Sequence, residues 1–411
     1  MQLGLFMFET RDGKISASTK KLRMGFMNPF GAFFLVSLII LLAYNFGFSN
    51  IYPKNSFEMY VFFGFTLSMA LACSFLYSNT KLSRFTSAKR TKKNLEKKDL
   101  FIFLFISLGF VAEFIYSKSV PLVSLATGSI FDYREFGIPT FHVILIGFNF
   151  FFTVHWASVF LRYGIKKYAI LFVSGMFYGL LIMNRGAIII SLLAILFVYL
   201  RNGIGFGKSI KIFLITLAVA WGFGALGNLR FLSQEVFFDD PILTIGSASN
   251  RFIESHLPNE FFWMYLYTTS PLANFQLTVD KGASTGAYVA DGLVINFLPD
   301  FLSKHFVDPS TNLIARPELI TPELTVSTGF ASVYANIGWA GPYFLFVYFL
   351  LYAICVINFC NNTSYRDGVV ALVTAQGVLL YFDNMLVFSG AIGPVLIGIG
   401  YVAFEKLSKR N

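Results

Sequence analysis

Residues 168–200 read YAILFVSGMFYGLLIMNRGAIIISLLAILFVYL, one apolar run interrupted only by Asn184-Arg185-Gly186. The interruption divides it into two helix candidates, 168–184 and 186–200. The second has 15 residues. At about 1.5 Å per residue it reaches roughly 23 Å, short of the ~30 Å hydrocarbon core of a bilayer. Two short helices joined here place the turn below the headgroup plane. An arginine so close to hydrocarbon is costly and usually marks a site.

The rest of the chain has the same character. Of 411 residues, 56% are apolar and 13% charged, against ~25% charged in ordinary soluble domains. Phe alone contributes 51 residues, and the mean hydropathy is +0.65. A soluble fold of this length cannot hide so much apolar surface. This excludes a soluble enzyme, a disordered chain and a disulfide scaffold. The expected fold is all-α: a polytopic transmembrane helical bundle of about ten spanning helices, with room for eleven or twelve. The ten runs are 29–48, 57–77, 100–117, 139–161, 168–184, 186–200, 210–228, 339–360, 367–382 and 389–404. They divide the chain into helices one to seven (1–228), a large loop (229–338) and helices eight to ten (339–411). The first 28 residues are polar and basic. They show no cleavable signal pattern, so the first spanning helix is expected to serve as an uncleaved anchor.

The net charge of +10 follows the topology. With the N-terminus inside, 23 of the 32 Lys and Arg fall on the inner side and nine outside. This is the positive-inside pattern, with both termini cytoplasmic, and it argues against nucleic acid as a partner. The outer loop 229–338 carries 11 acidic and 5 basic residues. Its apolar stretches, Phe261 to Tyr267 and 286–302, read as short helices at the interface or over the bundle. Cys73, Cys355 and Cys360 lie in or at the ends of apolar runs without a CxxC pair, and read as buried thiols. No nucleotide-binding motif and no metal-ligand spacing is present in the sequence, so no cofactor and no metal are expected.

The polar chemistry collects at the outer helix ends. Tyr133, Arg134 and Glu135 precede Pro139, with His142 one turn into the fourth helix. A guanidinium there can clamp a phosphate in a bidentate fork or simply reach the lipid headgroups. Arg185 follows, then Arg230 in Gly227-Asn228-Leu229-Arg230, then Arg251 with Glu254 and His256. Arg251 and Glu254 have the i,i+3 spacing of a plain surface pair, yet a carboxylate or imidazole here can also act as a general base. Asp383-Asn384 reads as a tight turn. Glu113, inside the third helix, can pair with an arginine. His155 reads as a structural histidine and His305 as a surface one. Several arginines at one level suit a diphosphate attached to a lipid, with the outer loop covering the cleft. Such chemistry needs no ATP, because a lipid-linked donor is already activated.

In this arrangement the chain resembles the O-antigen (oligosaccharide repeat unit) polymerases called Wzy. The resemblance covers the whole chain as an architecture: ten or more helices, both ends inside and one dominant outer loop in the second half. Its local echoes are Tyr133 to Gly137, Asn184-Arg185-Gly186, Asn228-Leu229-Arg230, Tyr267 to Asn274, and Gly329 to Gly341. It implies a GT-C-like membrane glycosyltransferase of the bacterial inner membrane, with its site facing the periplasm. It implies undecaprenyl-diphosphate-linked repeat units and polymer as substrates, and a chain-length-determining membrane protein as partner. A growing glycan would pass from undecaprenyl diphosphate to a hydroxyl of a new lipid-linked unit. Arg134, Arg185, Arg230 and Arg251, with Tyr133, would bind the diphosphate and glycan. The general base would be one of Glu135, Glu254, His256 and His142. The related O-antigen ligases share the helices and outer arginines, but their long-loop histidine motif is not evident here. A lipid-linked oligosaccharide transporter should instead show paired repeats and polar residues at the midplane.

Overall fold

A computed structural model of the chain describes residues 26–80, 95–127, 136–201, 241–283, 289–307 and 315–409. Among these residues the fold is all-α, and the one strand-like contact is an isolated bridge between Ser49 and Ala248. The first half contributes α1 (Pro29–Tyr44), α2 (Phe57–Asn79), α3 (Lys97–Ser117), α4 (Phe141–Tyr163), α5 (Lys166–Leu181) and α6 (Arg185–Arg201). The second contributes α7 (Glu260–Lys281), α8 (Val289–Phe297), α9 (Gly329–Ile337), α10 (Ala340–Phe359), α11 (Arg366–Leu379) and α12 (Ser389–Ser408). Their starts follow local chemistry. The Asn28 side chain accepts from the amides of Phe30 and Gly31 ahead of Pro29, Ser56 caps α2 through Met59, and Thr328 caps α9 through Ala331. These are N-cap residues, and in α1 Pro29 occupies the first turn, where no amide is needed.

Nine of the ten predicted runs are helices, and the run 210–228 lies outside the described residues. Five of the nine, α2, α3, α4, α10 and α12, are long and apolar enough to cross a membrane. Of the others, α6 has 17 residues and slightly exceeds its predicted 15, whereas α1 and α5, with 16, and α11, with 14, are shorter than their predicted runs. A helix of that last length rises only about 21 Å. The missing length is taken up by turns, 182–184 and 380–388, that stay packed within the bundle.

The helices α4 and α11 form the centre. In α4, 78% of the apolar window is buried, and it packs against α3, α5, α6, α11 and α12. Lipid tails are as apolar as Phe or Leu, so close packing, rather than escape from water, holds such helices together. Small residues permit it. Gly175 of α5 lies against Thr153 and Asn149, and Gly179 against Phe150. Aromatic rings fill the other side, with Phe33 against Phe346, Phe349 and Tyr381, and Phe62 against Phe275 and Phe330.

The bundle has two poles. At one, buried Asp99 accepts from Trp156 Nε1 at 3.2 Å and Tyr168 Oη at 2.7 Å. Arg162 pairs there with Asp367 at 2.9 Å. Arg201 and Arg366 both donate to the Tyr77 hydroxyl, at 3.3 and 3.5 Å. This is the pole the sequence predicts to be cytoplasmic.

At the other pole the large loop departs from expectation. The stretch Phe261 to Tyr267 is not a short interfacial helix but the first part of α7, 22 residues long, which packs on α1 and α9. Polar side chains conceal it in a hydropathy reading, yet they are buried and satisfied by neighbouring backbone. Asn274 donates to the carbonyls of Leu324 and Val326 and accepts from the Ile320 amide. Thr278 accepts from the Glu318 amide. A small separate core forms around it from Phe252, Phe262, Trp263, Tyr265, Leu266 and Leu324, with Phe48 and Tyr52 packed on it. Burial there pushes the Tyr52 phenol above its ordinary range, against the opposing pull of its hydrogen bond with Thr269. The stretch 286–302 contains the expected short helices, α8 and Asp300–Ser303.

Candidate functional site

A cavity of about 540 Å³ opens at this second pole, lined by Phe136, His142, Ile182, Met183, Asn184, Arg185 and Gly186. It joins two stretches that the sequence marks separately. One wall is the turn between α5 and α6. The chain leaves α5 at Ile182, and Met183 then takes a left-handed φ of 56°. A non-glycine residue in that region is strained by roughly 1–3 kcal/mol. The Asn184 amide returns to the carbonyl of Gly179 at 3.1 Å, and its Oδ1 accepts from the Ala187 amide at 3.1 Å. Asn184 is therefore the N-cap of α6, and Arg185 and Gly186 occupy its first turn. The first turn of a helix leaves amides unsatisfied and carries the positive end of the dipole, a ready site for an anion. Arg185 is exposed and has no carboxylate partner among the described residues.

The other wall is the entry to α4. Phe136 is buried, lies tilted against Phe114 at 5.8 Å and meets the His142 ring edge-on at 5.4 Å. The Gly137 amide donates to the Ser117 hydroxyl at 3.0 Å. Thr140 has a left-handed φ of 68°, and His142 is the second residue of α4. Its Nδ1 lies 2.8 Å from Oε2 of Glu113 on α3. Glu113 is fully buried, and its other oxygen, Oε1, has no hydrogen-bond partner among the described residues. The pair exists because α3 and α4 approach closely: a Cβ on Gly109 would stand 2.7 Å from Leu145. One turn along each helix from that contact are Glu113 and His142.

Of the predicted site residues, the structure brings His142 and Arg185 together. Tyr133, Arg134, Glu135 and Arg230 lie outside the described residues, the first three directly preceding Phe136 in the chain. Arg251, Glu254 and His256 are exposed and do not line the cavity. Arg251 instead neighbours Gly47 in the loop after α1, because Ser49 and Ala248 tie these two loops together. Asp383 and Asn384 form a turn, with Asn384 donating to the Asn296 carbonyl at 2.8 Å. His155 is buried in the middle of α4 among Phe151, Phe152 and Tyr365. The sequence suggests an arginine as partner for Glu113, whereas its partner in the structure is His142. The signal for it was the carboxylate itself, alone in an apolar helix. Among the described residues no group of His, Cys, Asp and Glu is arranged to hold a metal ion. Compared with known protein families, curated proteins and solved structures, the chain matches none.

Proposed function

We propose that this chain is a membrane glycosyltransferase of the surface-polysaccharide polymerase kind. It would join lipid-linked repeat units at the outer face of a bacterial inner membrane. The observation that carries the reading is the shared cavity: a histidine backed by a buried carboxylate faces an arginine in the first turn of α6. The two walls offer complementary chemistry. Arg185 and the start of α6 suit a diphosphate, since a guanidinium fork and unsatisfied first-turn amides both favour an anion. His142 suits an acceptor hydroxyl. In the step, the hydroxyl oxygen forms a bond to the anomeric carbon as the bond from that carbon to the diphosphate oxygen breaks. The diphosphate leaves with the electron pair, and the hydroxyl proton passes to His142. Arg185 stabilises the charge that develops on the leaving group. Neither a nucleotide nor a metal takes part. Among the candidate bases that are described, His142, Glu254 and His256, it is His142 that lines the cavity, so we place the general-base role on it.

The test is surface polysaccharide on a gel, from a strain lacking the gene and from the same strain carrying variants. Loss of the gene should collapse the ladder to core plus one repeat unit. Arg185→Ala and His142→Gln should each reduce polymer by roughly 100-fold or more while the protein remains in the membrane. A normal ladder from both variants would sink the cavity as the site. Bare core, with long polymer retained on carrier lipid, would make the protein a ligase. An unchanged ladder in the deletion strain would overturn the polymerase reading in favour of transport or an unrelated function.

A further inference from the structure

Glu113 has no place in the sequence-based set of site residues, yet it is the most deeply buried charged group near the cavity. It lies in α3, a helix otherwise apolar from Leu100 to Tyr116 apart from Ser107. Among the described residues it has no ion pair with Arg185 or another Arg or Lys, and its one hydrogen bond is to His142 Nδ1 at 2.8 Å. A buried carboxylate held on a single imidazole nitrogen, away from water, is expensive to keep. Its geometry is also restrictive. The Gly137 backbone bounds the same ring on one side, since a Cβ there would fall 2.6 Å from His142 Cγ and Nδ1. The Phe136 ring meets it edge-on. Carboxylate and backbone thus sit against the Nδ1 side of the imidazole, and the same residue lines the cavity.

We infer that Glu113 is a positioning residue: it accepts the Nδ1–H of His142, fixing the ring and leaving Nε2 as a bare acceptor directed at the cavity. A carboxylate can only accept, so the nitrogen facing it must carry the proton, and the other nitrogen is then free to take one. When Nε2 takes the hydroxyl proton, the ring becomes an imidazolium, and the Glu113 charge stabilises it. The same logic orients the histidine of a Ser-His-Asp triad. The kinetic consequence rests on the glycosyl-transfer reading of the cavity; the ring's tautomer does not.

The two are therefore measured separately. The chain has four histidines, so 15N-histidine labelling of the purified full-length protein, with His142→Gln as the assignment control, isolates the His142 signals. At a pH where the ring is neutral, wild type should show a protonated Nδ1 and a bare Nε2. Glu113→Met, close in shape and a good helix former, should release the ring to a mixture of tautomers. Glu113→Gln, whose amide oxygen still accepts, should retain much of the wild-type pattern. Polymerisation assays should show kcat reduced about 100-fold or more in Glu113→Met, with KM within about twofold and Glu113→Gln intermediate. A bare Nδ1 in wild type, or unchanged nitrogen signals in Glu113→Met, overturns the inference. The expected signals in a protein that transfers no glycan would leave the positioning role standing and remove the functional reading.

Discussion

Gly137 has a φ of 97° and directly abuts the His142 ring. It thus meets two requirements at once: a backbone angle that L side chains seldom adopt, and room for the imidazole to lie against the chain. Gly137→Ala violates both. The angle costs roughly 1–2 kcal/mol, and the methyl has to displace the ring, because it would otherwise stand 2.6 Å from it. Misplacing a catalytic group by about 1 Å can cost on the order of 100-fold in rate. Gly137→Ala should therefore lower the thermal midpoint modestly and polymerisation severely, as read by a melting curve and a turnover assay on the same preparation. Wild-type turnover would mean that the ring position is immaterial. The two walls of this site differed in how legible they were. Arg185 stands out in sequence as the single charge between Tyr168 and Leu200. The pairing of Glu113 with His142 does not, since the two are 29 positions apart on different helices. Their register depends on how Gly109 admits Leu145, which is decided by packing and leaves no local pattern.

At the scale of elements, the cavity depends on one helix start. Asn184 caps α6 through the Ala187 amide and places Arg185 and Gly186 in its first turn. Asn184→Ala removes the cap and should cost about 1 kcal/mol of stability. Asn184→Asp should retain the stability, because Asp caps as well as Asn and its charge favours the helix N-terminus. That same charge faces the anion that the site is read to hold. Asn184→Asp should therefore fold like wild type yet raise KM for the lipid diphosphate about tenfold. Equal KM in the two proteins would argue that no anion binds at α6. The shortness of α5 and α6 was readable from the interrupted run. The length of α7 was not, because its buried Thr269, Asn274, Gln276 and Thr278 lower the hydropathy that marks a membrane-packed helix. Asn274 and Thr278 find partners in loop 315–328, Thr269 bonds to Tyr52, and Gln276 accepts from the Ser56 amide, and a sequence does not show which distant groups will satisfy them.

For the whole molecule, the poles supply an argument about direction. Tyr77 with Arg201 and Arg366, Arg162 with Asp367, and Asp99 with Trp156 and Tyr168 mark one pole, whereas Ser49 meets Ala248 at the other. The helix α2, 23 residues long, runs from the second pole to the first. Arg201 and Ala248 thus stand at opposite ends, and the interval between them contains the predicted run 210–228. The final helix, α12, starts beside Asp300 and the cavity turn and ends at Ser408, with the Ser364 hydroxyl and amide donating to the Glu405 carboxylate in its last turn. Its end therefore joins the pole that carries Lys97, Lys98, Arg162, Lys166, Lys167, Arg201, Arg366, Lys406 and Lys409. Lys and Arg near the ends of spanning helices are retained on the cytoplasmic side. A reporter that is active only in the cytoplasm, fused after Asn411, should be active, and one that needs the periplasm should be silent. A single cysteine placed at Arg185 in a chain lacking Cys73, Cys355 and Cys360 should react with an impermeant thiol reagent added to intact spheroplasts. A periplasmic C-terminus together with an unreactive residue 185 would invert the bundle. The cavity would then face the cytoplasm, where lipid-linked repeat units displayed on the outer leaflet could not reach it.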